Sequence, residues 1–464
     1  MSGPLGALLG ALLLTMTLSA AACGPTPPSH PAPSVVVGSP SPSASFGSPS
    51  ASFASPSAPA SAAASGPAPS ASSSIVSPVP SGSGGPAPSV DEAALYDQIQ
   101  SEVLAIRGLK AANVKRETID EARLKALTAA DFDKDNPPEY VAANERLFKA
   151  LGLMPEDQSL KALFLDLVGS QVAGFYRPDA KKLYIVSRSG AINGANKITF
   201  AHEYDHALQD ANFAVFDDQK SLLDKTDQAL ARAALYEGDA TILMTVWAGP
   251  NLTPAELQEV FTAGTDPAAT AILERTPAIL REGLLFPYTG GVAFLSPIQA
   301  AGGWPAIDAL YSKLPVSTEQ VLHPEKYQAG EAPVAVELPA NLAKDLGAGW
   351  SQPLTDTFGE FQMRVWMTDT GVALADATAA AAGWGGDRFA VLDGPGDTWG
   401  VVMRTAWDSD ADAGAFEAAA ATSLQEAGGR GGVFVGEDGK TRWVLVGSDD
   451  PTLSKLTAVL GLAG

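Results

Sequence analysis

From Asp91 onward, apolar residues recur every three to four positions in blocks. In DEAALYDQIQSEVLAIRGL, the positions Leu95, Ile99, Val103, Leu104 and Ile106 mark one side of a helix. PPEYVAANERLFKALGL and SLKALFLDLVGSQ repeat that spacing and predict two more helices. The period then changes. VAGFYRPDAKKLYIVS holds two runs rich in Val, Phe, Tyr and Ile around a turn at Pro178 and Asp179, which predicts an antiparallel hairpin. Its second run, LYIVS, precedes the next helix and either simply covers it or stands at an edge whose main-chain groups can pair with an extended peptide.

Helical spacing resumes in KSLLDKTDQALARAALYEGDATILMTVWAG, whose Ala and Leu content predicts burial. TPAELQEVFTAG opens with Thr253, Pro254 and Glu256, a capping box with proline at the first helical position. More helices are expected up to about residue 345. Beyond it, RFAVLDG, TWGVVMRTAW, GGVFVG and TRWVLVG alternate like strands, with Asp438-Gly439 as a tight turn between the last two. The folded part therefore reads as α+β. Residues 91–345 form a mainly helical domain with a small antiparallel sheet, and residues 346–464 form a small α+β domain.

Composition changes the picture at the N-terminus. Residues 1–23, MSGPLGALLGALLLTMTLSAAAC, form an apolar run ending in small residues, with the length of a secretory signal. Residues 24–90 are Ser, Pro, Ala and Gly without a charge, and such a stretch buries too little apolar surface to offset its ordering entropy. It is read as a tether, and His30 within it as a solvated residue. The only cysteine, Cys23, has no partner for an intramolecular disulfide. The leader resembles a bacterial lipoprotein signal, which implies lipidation of Cys23 and an exported protein anchored on the outer face of the membrane. It departs from that pattern in having Ala20 three places before the cysteine and no Lys or Arg. All 30 basic and 52 acidic residues lie at or beyond Asp91, so that part carries the net charge of −22, which disfavours nucleic acid as a partner.

The candidate chemistry lies in TFAHEYDHALQD. Residues four apart on a helix share a face, so His202 and His206 can grip one ion, with Glu203 placed to reach a water on it. A hydrolytic zinc site needs this division of labour: the ion lowers the pKa of a water toward about 7 and a neighbouring carboxylate takes its proton. Two of the chain's four histidines occupy these positions. The third ligand is read as Glu237, in LYEGDAT on the next long helix, because a lone carboxylate in a buried helix is costly. A salt bridge with Arg232, or a solvated turn of helix around Gly238, is the competing reading. Asp239 is expected to orient a ligand histidine from behind.

HEYDH followed on the next helix by Glu237 resembles the gluzincin group of zinc metallopeptidases. GFYRPDAKKLYIV, HEYDHALQD, ALYEGDAT, TEQVLHPEKY and GWGGDRFAV together resemble a family of exported prokaryotic HExxH proteins, many of them lipoproteins. The resemblance implies a zincin-like fold, Zn2+ held by His202, His206 and Glu237, and Glu203 as catalytic base. Thermolysin-like gluzincins place an aspartate four residues after the ligand glutamate, where this chain has Thr241. Tyr288, in FPYTGGVAF, is similar to the oxyanion-stabilising tyrosine of aminopeptidase-like gluzincins. His323, in STEQVLHPEKY, is the other candidate for that role, and either could instead be a hydrogen-bonded structural residue. The expected function is a zinc metallopeptidase acting on peptide or protein substrate. The alternatives are a zinc-containing binding module without proteolysis, and a zinc amide hydrolase acting on cell-envelope material.

Overall fold

A computed structural model describes residues 91–188, 192–216 and 219–462. The expected leader, the tether and Cys23 lie outside the described residues. The Asp91 side chain caps α1 (Glu92–Arg107) by accepting from the Ala93 N–H at 3.1 Å, and Gly108 ends it in the left-handed region at φ 66°. β1 (Lys115–Ile119), α2 (Glu121–Asp135), α3 (Pro138–Ala150) and α4 (Leu160–Gln171) follow. The hairpin forms as β2 (Gly174–Arg177) and β3 (Lys182–Val186) and leads into α5 (Gly194–Phe213). Next come α6 (Thr226–Asn251), α7 (Pro254–Gly264), α8 (Pro267–Arg275) and α9 (Ala278–Leu310), the last broken at Gly303. The capping box of α7 is present as its sequence predicts, with Thr253 and Glu256 bonding each other's backbone N–H.

Short helices α10 (Thr318–Leu322), α11 (Pro324–Ala329) and α12 (Leu342–Asp345) lead to β4 (Ser351–Asp356), α13 (Gly359–Asp369) and α14 (Leu374–Ala381). The chain closes with β5 (Trp384–Asp393), β6 (Trp399–Trp407), α15 (Asp410–Glu426), β7 (Gly431–Val435), β8 (Thr441–Gly447) and α16 (Asp450–Leu460). The architecture is mixed α+β. The strands after residue 350 form one antiparallel sheet in the order β4-β5-β6-β8-β7. One apolar cluster spans the boundary at 345/346: Leu147 and Leu151 of the first part share it with Trp366 and Trp384 of the second, and the Trp366 indole N–H donates to the Leu151 carbonyl at 3.0 Å.

The smaller sheet decides against the edge reading of LYIVS. Its order is β1-β3-β2, so β3 is the central strand. β1 pairs with it in parallel, Lys115 opposite Lys182 and Ile119 opposite Val186, and takes the edge that β3 would otherwise offer. The free edge beside α5 belongs instead to β2. A Cβ on Gly174 would lie 2.6 Å from the Thr199 methyl of α5, so glycine is what lets the strand come this close. Further along, the Tyr176 hydroxyl donates to Asp210 at 2.7 Å.

Candidate metal centre

α5 begins at a reciprocal cap: Asn193 accepts from the Asn196 N–H at 3.0 Å, while the Asn196 side chain accepts from the Asn193 N–H at 3.2 Å. No Gly or Pro interrupts it from Lys197 to Phe213, and all residues from Ile198 to Asp210 are buried. Phe200 stacks on Tyr96 of α1 with ring centres 4.2 Å apart, which fixes the rotation of the helix about its axis. α6 lies beside it. On its other side α6 meets α9 backbone to backbone, since a Cβ on Gly238 would lie 2.5 Å from the Gly291 carbonyl carbon. Glycine at both positions lets the two helices touch one residue from Glu237.

Three donor atoms converge there. His202 Nε2 lies 3.1 Å from Glu237 Oε2, His206 Nε2 lies 3.4 Å from the same oxygen, and the two Nε2 atoms are 3.0 Å apart. Three ligands on a tetrahedron with zinc distances of about 2.0–2.1 Å stand about 3.3 Å apart, so the spacing suits such an ion. Glu203 carries the second sign of an absent partner. It is 0% exposed, and neither carboxylate oxygen makes a hydrogen bond of good geometry, although the Tyr176 backbone N–H of β2 lies close enough to lower its proton affinity. An ionised carboxylate in that state would cost several kcal/mol, so without a cation beside it the group holds a proton instead. The residues present therefore fit a divalent cation with an adjacent base.

The electrostatics agree with that arrangement. Burial drives the Glu203 carboxyl well above its usual range, against the opposing His206. Burial also lowers His202. At His206 burial acts downward too, but the Glu237 carboxylate outweighs it and pushes the imidazole up to about 9. Burial would raise Glu237, yet the two imidazoles, His206 foremost, hold it below the ordinary carboxylate range.

The remaining expected site residues divide. The Tyr288 ring on α9 lies 6.1 Å from the His202 ring, nearly parallel to it, so this tyrosine is brought to the centre. His323 is engaged elsewhere: its Nε2 pairs with the buried Glu360 of α13 at 2.9 Å, and neither ring nitrogen bonds His202, His206 or Glu237. Asp239 needs a correction. Its Oδ2 accepts from Arg107 at 2.9 Å and from the Tyr311 hydroxyl at 2.6 Å, and it bonds no histidine. Two residues along a helix is a rotation of about 200°, so Asp239 faces away from the centre that Glu237 faces. The residue behind His206 is Gln209, whose Oε1 lies 3.0 Å from Nδ1. Gln209 and Arg107 carry no motif of their own, and no local spacing marks Arg107 as part of the site.

A family model described as a domain of unknown function (DUF8575) matches residues 346–455, from the start of the second part into α16, and includes none of the metal-centre residues. No curated protein and no solved structure matches the chain.

Proposed function

We propose that the chain is a zinc-dependent peptidase of zincin-like fold, exported and held at the outer face of the membrane through a lipid on Cys23. The observation that carries the reading is the Glu203 carboxyl, buried without a hydrogen bond of good geometry beside three convergent donor atoms. His202, His206 and Glu237 would hold the ion, and a zinc ion there supplies Lewis acidity that acidifies water and polarises a carbonyl. Glu203 takes a proton from the attacking water and returns it to the leaving amine as the C–N bond breaks, so the carboxylate ends as it began. Tyr288 is the donor assigned to the developing oxyanion. The free edge of β2 offers main-chain groups to an extended peptide.

One observation favours a second reading. His202, Glu203, His206 and Glu237 are each at most 1% exposed, as a zinc site kept for binding or structure would be. A purely structural site has no use for Glu203, and the test turns on that residue. In the full chain, Glu203→Gln is expected to keep one zinc per molecule while peptide hydrolysis falls by about 10²–10⁴-fold. A wild type that binds zinc and cleaves nothing in a broad peptide library would select the second reading. Cleavage of cell-envelope fragments in preference to peptides would redirect the first.

A further inference from the structure

A chain of buried hydrogen bonds runs from Arg107 to His206, and the donor at each step is fixed by chemistry. The Arg107 guanidinium has five N–H donors and accepts nothing. Its Nε donates to Asp205 Oδ1 at 2.9 Å and one Nη donates to Asp239 Oδ2 at 2.9 Å. The other Nη lies 3.1 Å from Asp308, and the Trp304 ring covers the guanidinium at 4.6 Å. Elements α1, α5, α6 and α9 thus meet at one cation whose side chain is 0% exposed.

Asp205, so held, presents Oδ2 to the Gln209 amide nitrogen at 3.1 Å, and the same nitrogen donates to the Tyr236 carbonyl at 3.0 Å. Both partners are acceptors only. The amide of Gln209 therefore has one orientation, with Nε2 toward Asp205 and Tyr236 and Oε1 toward His206. An amide oxygen accepts and cannot donate, so Nδ1 of His206 must carry the proton. The lone pair of the neutral imidazole then sits on Nε2, the atom aimed at His202 and Glu237.

We infer that Gln209, oriented by Asp205 and Arg107, is the positioning residue that fixes the tautomer and ring plane of His206 for metal binding. The inference rests on the reading of His202, His206 and Glu237 as ligands. Asp205 and Asp239 each stand two residues from Glu203 or Glu237 on their helices and so point to the opposite side, where Arg107 ties the helices at a set spacing. The partner of the ligand histidine is a neutral amide instead of a carboxylate, so the support adds no negative charge to the ion's surroundings.

Proton-detected nitrogen NMR on the full-length wild type tests this without any substitution, since four histidines give a sparse imidazole spectrum. The expected result is a slowly exchanging Nδ1–H on His206 with and without zinc, and protonation at Nε2 with a bare Nδ1 would overturn the inference. A second measurement separates positioning from folding. Gln209→Leu and Arg107→Lys are expected to weaken zinc binding by the roughly 10–100-fold typical of lost outer partners and to alter the visible spectrum of the cobalt-substituted protein. If either variant folds and keeps wild-type zinc affinity and cobalt spectrum, Gln209 only packs. A wild type that binds no zinc but shows the Nδ1–H would sink the ligand reading and leave the orientation of His206 standing.

Discussion

Helix α6 carries two buried acids about three turns apart, Asp227 in its first turn and Glu237 near its middle, and their surroundings differ in kind. Asp227 meets donors: the Thr318 N–H lies 3.2 Å from its carboxylate and the Thr318 hydroxyl bonds it too. Its neighbours follow suit. Asp356 accepts from the Thr226 N–H at 2.8 Å, and Asp387 accepts from Phe358 N–H, Gly359 N–H and the Trp384 indole at 2.7–2.9 Å. Glu237 meets two imidazole nitrogens, of which His206 Nε2 carries the lone pair in the neutral tautomer that Gln209 sets, beside a second carboxyl without a hydrogen bond of good geometry. Burial alone does not separate the two places. The balance of donors and acceptors does, because a group short of built-in donors is stable only when it takes up protons or a metal cation. A third acidic group, Glu319, Glu331 and Asp408, has its cation built in: Lys326 Nζ reaches Asp408 at 2.8 Å and Glu331 at 3.0 Å, and pairs with Glu319 as well.

The most direct way to break this comparison is to exchange the effects of the two acids. Glu237→Ala removes one of three ligands, and with structural zinc sites worth about 10–16 kcal/mol in all, one ligand accounts for roughly 3 kcal/mol or more. Zinc affinity is expected to fall at least about 100-fold, read by metal analysis after dialysis against a weak chelator. Undiminished zinc in Glu237→Ala would remove the third ligand and with it the contrast.

At the other end of α6 the expected effect is on stability only. Gly359 sits at φ +80°, and a Cβ there would run into the Asp227 carboxylate. Gly359→Ala therefore combines a left-handed backbone that alanine resists with a displaced acid whose donors lose their partner, at a cost of about 2–4 kcal/mol. Denaturant titration should show that loss while zinc content stays at one per chain. A fall in zinc stoichiometry would show that the two ends of the helix are coupled, and the distinction between a structural and a metal-binding acid would then fail.

Local spacing makes part of the site legible in the sequence. His202 and His206 are four apart, and Glu237 stands out as an acid within ALARAALYEGDATILM, where an unpaired charge needs an explanation. The alternating strands of the second part were legible for the same reason: their apolar period is short and regular. β1 was not, because KRETI is charged and its parallel partner lies more than 60 residues later, so nothing local marks it as a strand. Arg107 ends a helix nearly 100 residues before HEYDH, and only the packing of α1 against α5 gives it a role. The two-residue step from Glu237 to Asp239 already puts the aspartate on the opposite face of the helix. Gln209 could have been found the same way, three residues after His206 and therefore within its reach.

A carboxylate outside both buried places sharpens the scale against which they are judged. Glu256 of α7 has donors on every side, as Asp227 does, but near solvent: it accepts from the Thr253 N–H at 2.8 Å and hydroxyl at 2.7 Å, and pairs with Lys197 of α5. The Lys197 ammonium, and after it the Thr253 donors acting against slight burial, hold its pKa down to about 2. A depressed carboxylate contributes stability that is fully present above the unfolded value of about 4.3 and is lost as pH falls toward 2. The Lys197 and Glu256 side chains are 23% and 19% exposed, and screening by that solvent limits the contribution to about 1 kcal/mol. Glu256→Gln keeps an amide able to serve in the capping box and deletes only the charge. It should cost that fraction of a kcal/mol at pH 6 and low salt, nothing at pH 2, and less at 1 M salt, with zinc affinity unchanged. If the cost were as large at pH 2 as at pH 6, the cap geometry and not the ion pair would be what joins α7 to α5. If zinc affinity fell as well, the start of α5 would belong to the support of the metal centre, and the donor-rich acids could no longer be treated as separate from the acceptor-rich one.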